Sequence, residues 1–492
     1  MAEENADAWR KTLKYTACED IKLDEKLVYH DILGNEAHAL MLYRCGLLSR
    51  EDLRAILGAL DELLNAWRAG KFSLRLEFED VHMNVEHFVI ERAGERGAKL
   101  HTARSRNDQV QLDLRLWMRD CVLTLAERLV RFIRLLLDLA EVHVDSLMPA
   151  YTHFQPAQPS TLAHWLLAWA NAFSRDFERL WALWRWLDLS PLGAGAISGT
   201  TLPIDRVYVA ELLGFSGVQW NSLDVVSSRG ELEAELVMVL ALLATHMGRL
   251  AEDLVLWSNP HFGFVALADE YCTGSSAMPQ KRNPDVAELL RARTGRIYGN
   301  LIHILTVLKG LPTGYSRDMQ ETKKALMESV ETALSSLDVL HDLLSTAKFN
   351  VEKMRDSLRS GFYTATDLAE LLVLRGVPFR QAYGVVKEFL AIVQERKVDG
   401  DRWLEALQEV ATRRIGRRLN INEAELKETL DPASSVKRRV AGGPSPSWVR
   451  EEIEELRAKV DMWERTLDEK RRHIKAAIVR LNSLVSEVLG RG

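Results

Sequence analysis

Cysteine is scarce, with four residues in 492, and Cys18, Cys45, Cys121 and Cys272 form no CxxC pair and sit near no histidine cluster. That scatter excludes a disulfide framework and a zinc site, and it fits a reducing cytoplasm, the expected location. Residues 1–7 are acidic and lack the apolar stretch of an export signal. Long hydrophobic runs are missing as well. The segments 237–244 and 166–170 are broken by charge or by His and Asn well short of the roughly 20 residues a bilayer needs, so no membrane partner is expected. Nor does charge of one sign accumulate: 64 Lys and Arg face 70 Asp and Glu, for a net charge of −6. Such interspersed charge leaves no footprint for nucleic acid. A small molecule, or a second copy of the chain, is the expected partner.

What is present is apolar periodicity. At 47% hydrophobic, the chain is too apolar for disorder and too long for one core, so two or three domains are expected. Between Gln109 and Asp145 there is neither Gly nor Pro. Leu112, Leu116, Val122, Leu125, Leu129, Phe132 and Leu136 recur at three- and four-residue steps. This predicts one helix about 55 Å long at 1.5 Å per residue, which needs neighbours. Helices over 159–189, 230–257, 286–309 and 319–346 supply them. The fold class is therefore all-α: a central five-helix bundle over 105–350, a helical domain over 1–104 without β alternation, and a C-terminal domain over 351–492. Apolar residues such as Trp165, Leu166, Leu167, Trp169, Trp181, Trp184 and Trp186 cover more than one helix face, which predicts oligomerisation.

The segment 440–447, Val-Ala-Gly-Gly-Pro-Ser-Pro-Ser, is the clearest linker. Beyond it Ile453, Leu456, Val460, Trp463, Leu467, Ile474, Ile478, Leu481, Val485 and Val488 keep three-four spacing within a charged run. This reads as an amphipathic helix or helical hairpin lying on its own subunit, ahead of a partner-binding zipper.

Residues 269–284 form a polar loop with one Gly and two Pro between apolar helices. Ser275 and Ser276 precede Lys281, and a helix is predicted after Pro284, so hydroxyl, ammonium and helix N-terminus can converge on an anion. On physics alone the segment reads equally as a connector facing water. Arg106 and Asn107 stand where a charged loop enters the long helix. They can grip a carboxylate or serve as part of a cap with Asn107 or Asp108 at its start. Gln320 and Lys323, three apart after Gly314 and Tyr315, are neighbours on a helix face that could equally be solvated. A lone His such as His153 is more often structural than catalytic. His30, His38, His82, His101, His143 and His164 are read that way.

The segment Gly274-Ser275-Ser276-Ala277-Met278-Pro279-Gln280-Lys281-Arg282-Asn283-Pro284 resembles the signature of the fumarase/aspartase superfamily, whose members release fumarate from succinyl substrates. Asp80-Val81-His82-Met83-Asn84, Thr102-Ala103-Arg104-Ser105-Arg106-Asn107-Asp108-Gln109, Tyr151-Thr152-His153-Phe154-Gln155-Pro156, Pro191-Leu192-Gly193-Ala194-Gly195, Asn221-Ser222-Leu223-Asp224 and Gly314-Tyr315-Ser316-Arg317-Asp318-Met319-Gln320 resemble the argininosuccinate lyase family in particular, in the same order. The resemblance covers about residues 25 to 450.

It implies β-elimination of argininosuccinate to arginine and fumarate, a step of arginine biosynthesis, with no organic cofactor and no metal. It implies Ser275 as base and Lys281 and Asn283 as stabilisers of the aci-carboxylate intermediate. His153, oriented by Glu288, assists the leaving nitrogen. Arg106 and Asn107 bind a carboxylate, Thr152 binds substrate, and Tyr315, Gln320 and Lys323 meet the amino-acid and guanidino end. It further implies a homotetramer around twenty helices, with each site shared between subunits. Three features depart from the family pattern. The family's N-terminal serine is absent where Tyr15-Thr16-Ala17-Cys18 stands, leaving Cys18 as its substitute; Tyr383 replaces a His; and the tail is longer. The alternatives are another lyase of the superfamily, acting on adenylosuccinate, aspartate or malate, and a non-catalytic crystallin-like homologue.

Overall fold

Five helices precede the long one: α1 (Ala2–Ala17), α2 (Asp20–Asp24), α3 (Val28–Arg44), α4 (Arg50–Arg68) and α5 (Val81–Ala93). They are seen in a computed structural model that describes residues 2–491. α4 starts at a capping box in which the Ser49 hydroxyl accepts the Asp52 N–H while the Asp52 carboxylate accepts the Ser49 N–H. α3 is buried on nearly every side because it runs between α4, α5 and the bundle.

The stretch free of Gly and Pro becomes α6 (Arg106–Val142), 37 residues long. Its cap differs from expectation. Ser105, in extended backbone, is the N-cap, and Asp108 closes the capping box from the third helical position. Asp108 does more, because its other oxygen accepts the N–H groups of Gly193 (3.0 Å) and Gly195 (2.8 Å).

A helix predicted from Pro159 begins instead at Leu162, as α7 (Leu162–Leu187). The preceding residues form an antiparallel hairpin, β1 (Leu147–Thr152) and β2 (Gln155–Thr161), in which Pro149 pairs with Pro159. Its two-residue turn is His153-Phe154, with φ of 53° and 57°. Such a turn needs positive φ at both positions and ordinarily takes Asn-Gly.

α8 (Arg206–Leu212) and α9 (Ser222–Ser227) are short, and α10 (Glu231–Ser258), α11 (Asp285–Leu308) and α12 (Thr322–Thr346) complete the bundle. α6 packs on α7 and α12, while α10 lies against α7, α11 and α12. Among the described residues α10 alone is long and apolar enough to cross a membrane, and 67% of its most apolar window is buried in the bundle. Helix packing accounts for that apolarity.

Six further helices follow: α13 (Val351–Ser357), α14 (Ala365–Leu374), α15 (Phe379–Arg396), α16 (Trp403–Ile415), α17 (Glu423–Leu430) and α18 (Pro432–Lys437). α14 to α17 enclose a core of their own around Leu368, Val385, Phe389, Leu407 and Val410.

The tail is a single helix, α19 (Pro446–Leu489), and here the expected division needs correcting. Val449, Ile453, Val460, Trp463, Leu467, Leu481 and Val485 join the main core, not the small C-terminal one. α19 lies along α6 and touches α3, α4, α7 and α8, with Trp463 stacked on Phe177 at 4.3 Å. Its apolar stripe matches the groove between the N-terminal helices and the bundle, so burial draws it there. Arg134 to Asp461 and Glu464, Arg457 to Asp138 and Glu141, and Arg471 to Glu127 flank the seam.

Candidate active site

The predicted site residues fall into three groups on the folded chain. Arg106, Asn107, Tyr315, Gln320 and Lys323 line one cavity of about 210 Å³, together with Thr16, Asp20, Asp24, His82 and Arg229. Each is set by local structure. Arg106 is the first residue of α6, and its guanidinium meets Asp80, the N-cap of α5, at 3.3 Å. Asn107 donates to the Ala196 carbonyl at 2.9 Å. Gln320 stands in a 3-10 turn, Arg317–Glu321, at the foot of α12 and donates to the Thr16 carbonyl at 2.8 Å.

Lys323 is not the exposed contact expected of a solvated face. It is 3% exposed, and its ammonium lies 2.8 Å from Asp20 Oδ1 and 2.5 Å from Asp24 Oδ1. Burial works against its charge, but the two carboxylates outweigh burial and raise its pKa. Burial raises the Asp20 carboxyl, with Lys323 opposing and Asp24 adding to the rise. Two carboxylates sharing one ammonium leave one negative charge in excess.

Sequence reasoning misses several of these residues. It puts Cys18 at the N-terminal position, whereas Thr16, Asp20 and Asp24 line the cavity. The signal was available: Asp20 and Asp24 are four apart and share a helix face. His82 reads as structural in the sequence, yet it lines the cavity while its Nδ1 bonds Asp31 Oδ1 at 2.7 Å and lies 3.4 Å from Asp113 Oδ2. Asp31, His82 and Asp113 are all buried and could offer ligand atoms to a metal ion. Burial and the neighbouring Asp31 push the Asp113 carboxyl up, and the Asp31 hydrogen bond and charge overcome burial to raise His82. The Arg104 guanidinium lies near both carboxylates and adds positive charge to the cluster.

The second group is the signature loop. The pairs Thr273–Gly274 and Arg282–Asn283 join antiparallel at its base, and Asp285 in the first turn of α11 accepts the Thr273 N–H at 3.1 Å. Arg282 reaches the Leu267 carbonyl at 3.0 Å. Ser275 is half-buried, and its Oγ accepts the N–H groups of Ala277 (3.3 Å) and Met278 (3.2 Å). Those amides belong to the loop itself, not to a helix end. They stabilise negative charge on the hydroxyl oxygen and so favour its action as a base. Lys281 is exposed on the same loop, Asn283 is half-buried in its strand, and Glu288 is exposed one turn into α11.

The third group is the hairpin tip. Thr152 and His153 are exposed, and Phe154 beside them is 74% exposed. His153 borders a cavity lined by Tyr151, Trp165, Trp257 and Phe262. Among the described residues no hydrogen bond joins His153 to Glu288 or to Ser275 within one chain.

Known proteins resemble the chain over most of its length. A lyase family model matches residues 2–299, and an argininosuccinate lyase C-terminal model matches residues 362–437. The chain is 45% identical to the argininosuccinate lyase of Pelotomaculum thermopropionicum over 442 residues, which is 89% of this chain and 94% of that one. The argininosuccinate lyase of Moorella thermoacetica is also 45% identical, over 89% of this chain and 93% of its own.

The chain belongs to the argininosuccinate lyase family.

Family membership makes it a lyase, and solved structures agree on the fold. An EDDS lyase in complex with formate superposes with a TM-score of 0.86 at 28% identity, covering 95% of this chain and 93% of that one. A class II fumarase from Schistosoma mansoni shares the fold at a TM-score of 0.69 and 17% identity, over 83% and 90% of the two chains. The argininosuccinate lyase C-terminal model ends before α19, so the helix that closes the main core lies beyond the matched residues.

Proposed function

We propose that the chain cleaves argininosuccinate to arginine and fumarate in the cytoplasm, as a step of arginine biosynthesis, and that it does so as a homotetramer with sites shared between subunits. Ser275 Oγ takes the proton from the carbon beside the succinyl carboxylate. The electron pair forms the double bond of fumarate as the carbon–nitrogen bond breaks. Lys281 and Asn283 stabilise the aci-carboxylate formed on the way. His153, oriented by Glu288, delivers a proton to the departing guanidino nitrogen. Arg106, Asn107 and Thr152 hold carboxylates, and Tyr315, Gln320 and Lys323 define the amino-acid end. No step calls for a nucleic acid or a membrane.

The observation that carries this reading is Ser275, whose Oγ accepts two amide N–H groups inside the signature loop. Assembly is supported by exposed apolar groups that one chain leaves uncovered: Phe154 at the hairpin tip and Leu289, Tyr298, Ile302 and Leu305 along α11. The backbone of His153 and Phe154 is held in a conformation that costs non-glycine residues about 1–2 kcal/mol each. Strain of this kind concentrates at functional sites.

The test is fumarate release by the purified chain with argininosuccinate, and with adenylosuccinate, aspartate and malate as controls, alongside sedimentation. Turnover of argininosuccinate by a tetramer is expected. Turnover of a control substrate instead, or full activity in a monomer, overturns the reading.

A further inference from the structure

A larger cavity, of about 500 Å³, is lined by none of the residues assigned to the reaction. It lies where the small C-terminal core meets the base of the hairpin: Leu147, the first residue of β1, forms part of its wall, as does Leu430 at the end of α17. Phe362, Tyr363 and Trp403 also line it, all three half-buried, with the Phe362 and Trp403 rings 5.5 Å apart. Gly361 makes this aromatic wall possible. A Cβ there would stand 2.6 Å from the Tyr363 ring, so glycine is what lets the ring lie back over the chain.

The polar part of the lining is unevenly charged. Arg355 and Arg359 stand on it against one carboxylate, Asp431. That carboxylate is already engaged, accepting the Ser434 N–H at 2.8 Å as the N-cap of α18. Asp356 meets Arg359 at 3.5 Å, but the two side chains are 53% and 75% exposed, where water screens most of their attraction. α14 begins at the same wall. Thr364 donates its hydroxyl to the Leu430 carbonyl at 3.1 Å instead of capping the helix, so the positive end of α14 adds to the two guanidiniums. Rings and cations in one cavity suit a flat anion.

We propose that this cavity is a second ligand site and takes an aromatic anion, a planar ring bearing a carboxylate or a phosphate. Cavities of roughly 300–1,000 Å³ at domain junctions, mostly apolar and aromatic with a few placed polar groups, are where small ligands bind. The ring packs against the aromatic wall, and the acidic group meets the planar forks of Arg355 and Arg359. A ligand so placed touches β1, the chain between α13 and α14, and the joint of α17 with α18, so it fastens the small core to the base of the hairpin. The site does not depend on which succinyl substrate the chain cleaves.

The probes are 1-naphthyl phosphate and 2-naphthoate, with 1-naphthol supplying the ring without the charge and inorganic phosphate the charge without the ring. Calorimetry on the full-length protein is expected to show an aromatic anion binding at least about 10-fold more tightly than 1-naphthol or phosphate. The tighter of the two anions identifies the acidic group. Arg355→Gln combined with Arg359→Gln changes two exposed side chains and should leave the fold intact. It should weaken the anion by about 10- to 100-fold, the worth of a charge-assisted pair, and leave 1-naphthol unaltered. Hydrogen exchange locates the site: the bound anion should protect amides within 358–365 and 430–434, and excess arginine with fumarate should not displace it. Failure of both anions to bind, equal affinity for the anions and 1-naphthol, an unweakened double variant, protection confined to other segments, or displacement by arginine and fumarate each overturns the proposal.

Discussion

The cavity at the foot of α12 and the signature loop before α11 are built on opposite plans. In the cavity Lys323, Asp24 and His82 are buried and hydrogen-bonded, held by α2, α5, α6 and α12. In the loop most residues from Thr273 to Arg282 are exposed, and two short paired strands close its base. On the proposed assignment, one chain prepares the recognition end of the site. The end proposed for the chemistry is left open, with His153 on a separate exposed hairpin. The buried, hydrogen-bonded cavity is preorganised, whereas the loop is held mainly at its base.

The sharpest way to break this contrast is Ser275→Ala. Turnover should fall by about 10²- to 10⁴-fold, the range for losing a positioned proton-transfer group, while argininosuccinate affinity and the urea midpoint stay near their original values. A variant with unaltered kcat would remove Ser275 from the chemistry. Lys323→Met should act the other way, through the fold. It leaves Asp20 and Asp24 buried without their ammonium and is expected to cost about 3–5 kcal/mol of stability, read as a lower urea midpoint, with arginine binding lost as well. An unchanged midpoint would mean that this cavity is no more rigidly built than the loop.

The smallest expected effect sharpens the picture of the buried side. Glu36 on α3 is 2% exposed, one of its oxygens lacks a hydrogen bond, and burial with Asp61 nearby raises its pKa from 4.5 to about 8. The folded state therefore holds a proton that the unfolded state has released. Stability from this group is complete below pH 4.5 and is lost as pH rises to about 8. Glu36→Gln should match the unaltered protein at pH 4 and exceed it by about 2–4 kcal/mol at pH 8.5 in urea unfolding. Equal pH profiles would show that the carboxyl is not buried as described.

The same division explains what could be read from sequence. α6 was legible because a long stretch without Gly or Pro and with a steady apolar step permits little else. The hairpin was not. Pro159 imitates a helix start, Pro149 and Pro156 are poor strand residues, and the His153-Phe154 turn contains neither Gly nor Asn. The loop was readable because its chemistry is contiguous, eleven residues in a row. The cavity was only half readable, since Lys323 meets Asp20 and Asp24 across some three hundred positions, and no local pattern announces such a meeting. For the tail the periodicity was evident, but the groove it would fill was not. A stripe of apolar residues says that a helix must be covered, not by what.

α19 also sets an order of events. Its far end reaches α4, where Arg491 meets Asp61 at 2.6 Å and Leu489 approaches Gly58. About four hundred residues separate these partners in the chain. At ribosomal speeds of about 5–20 residues per second, α3 and α4 wait on the order of 20–80 s before the helix that covers them exists. During that interval the groove stands open on the nascent chain, apolar and unclaimed.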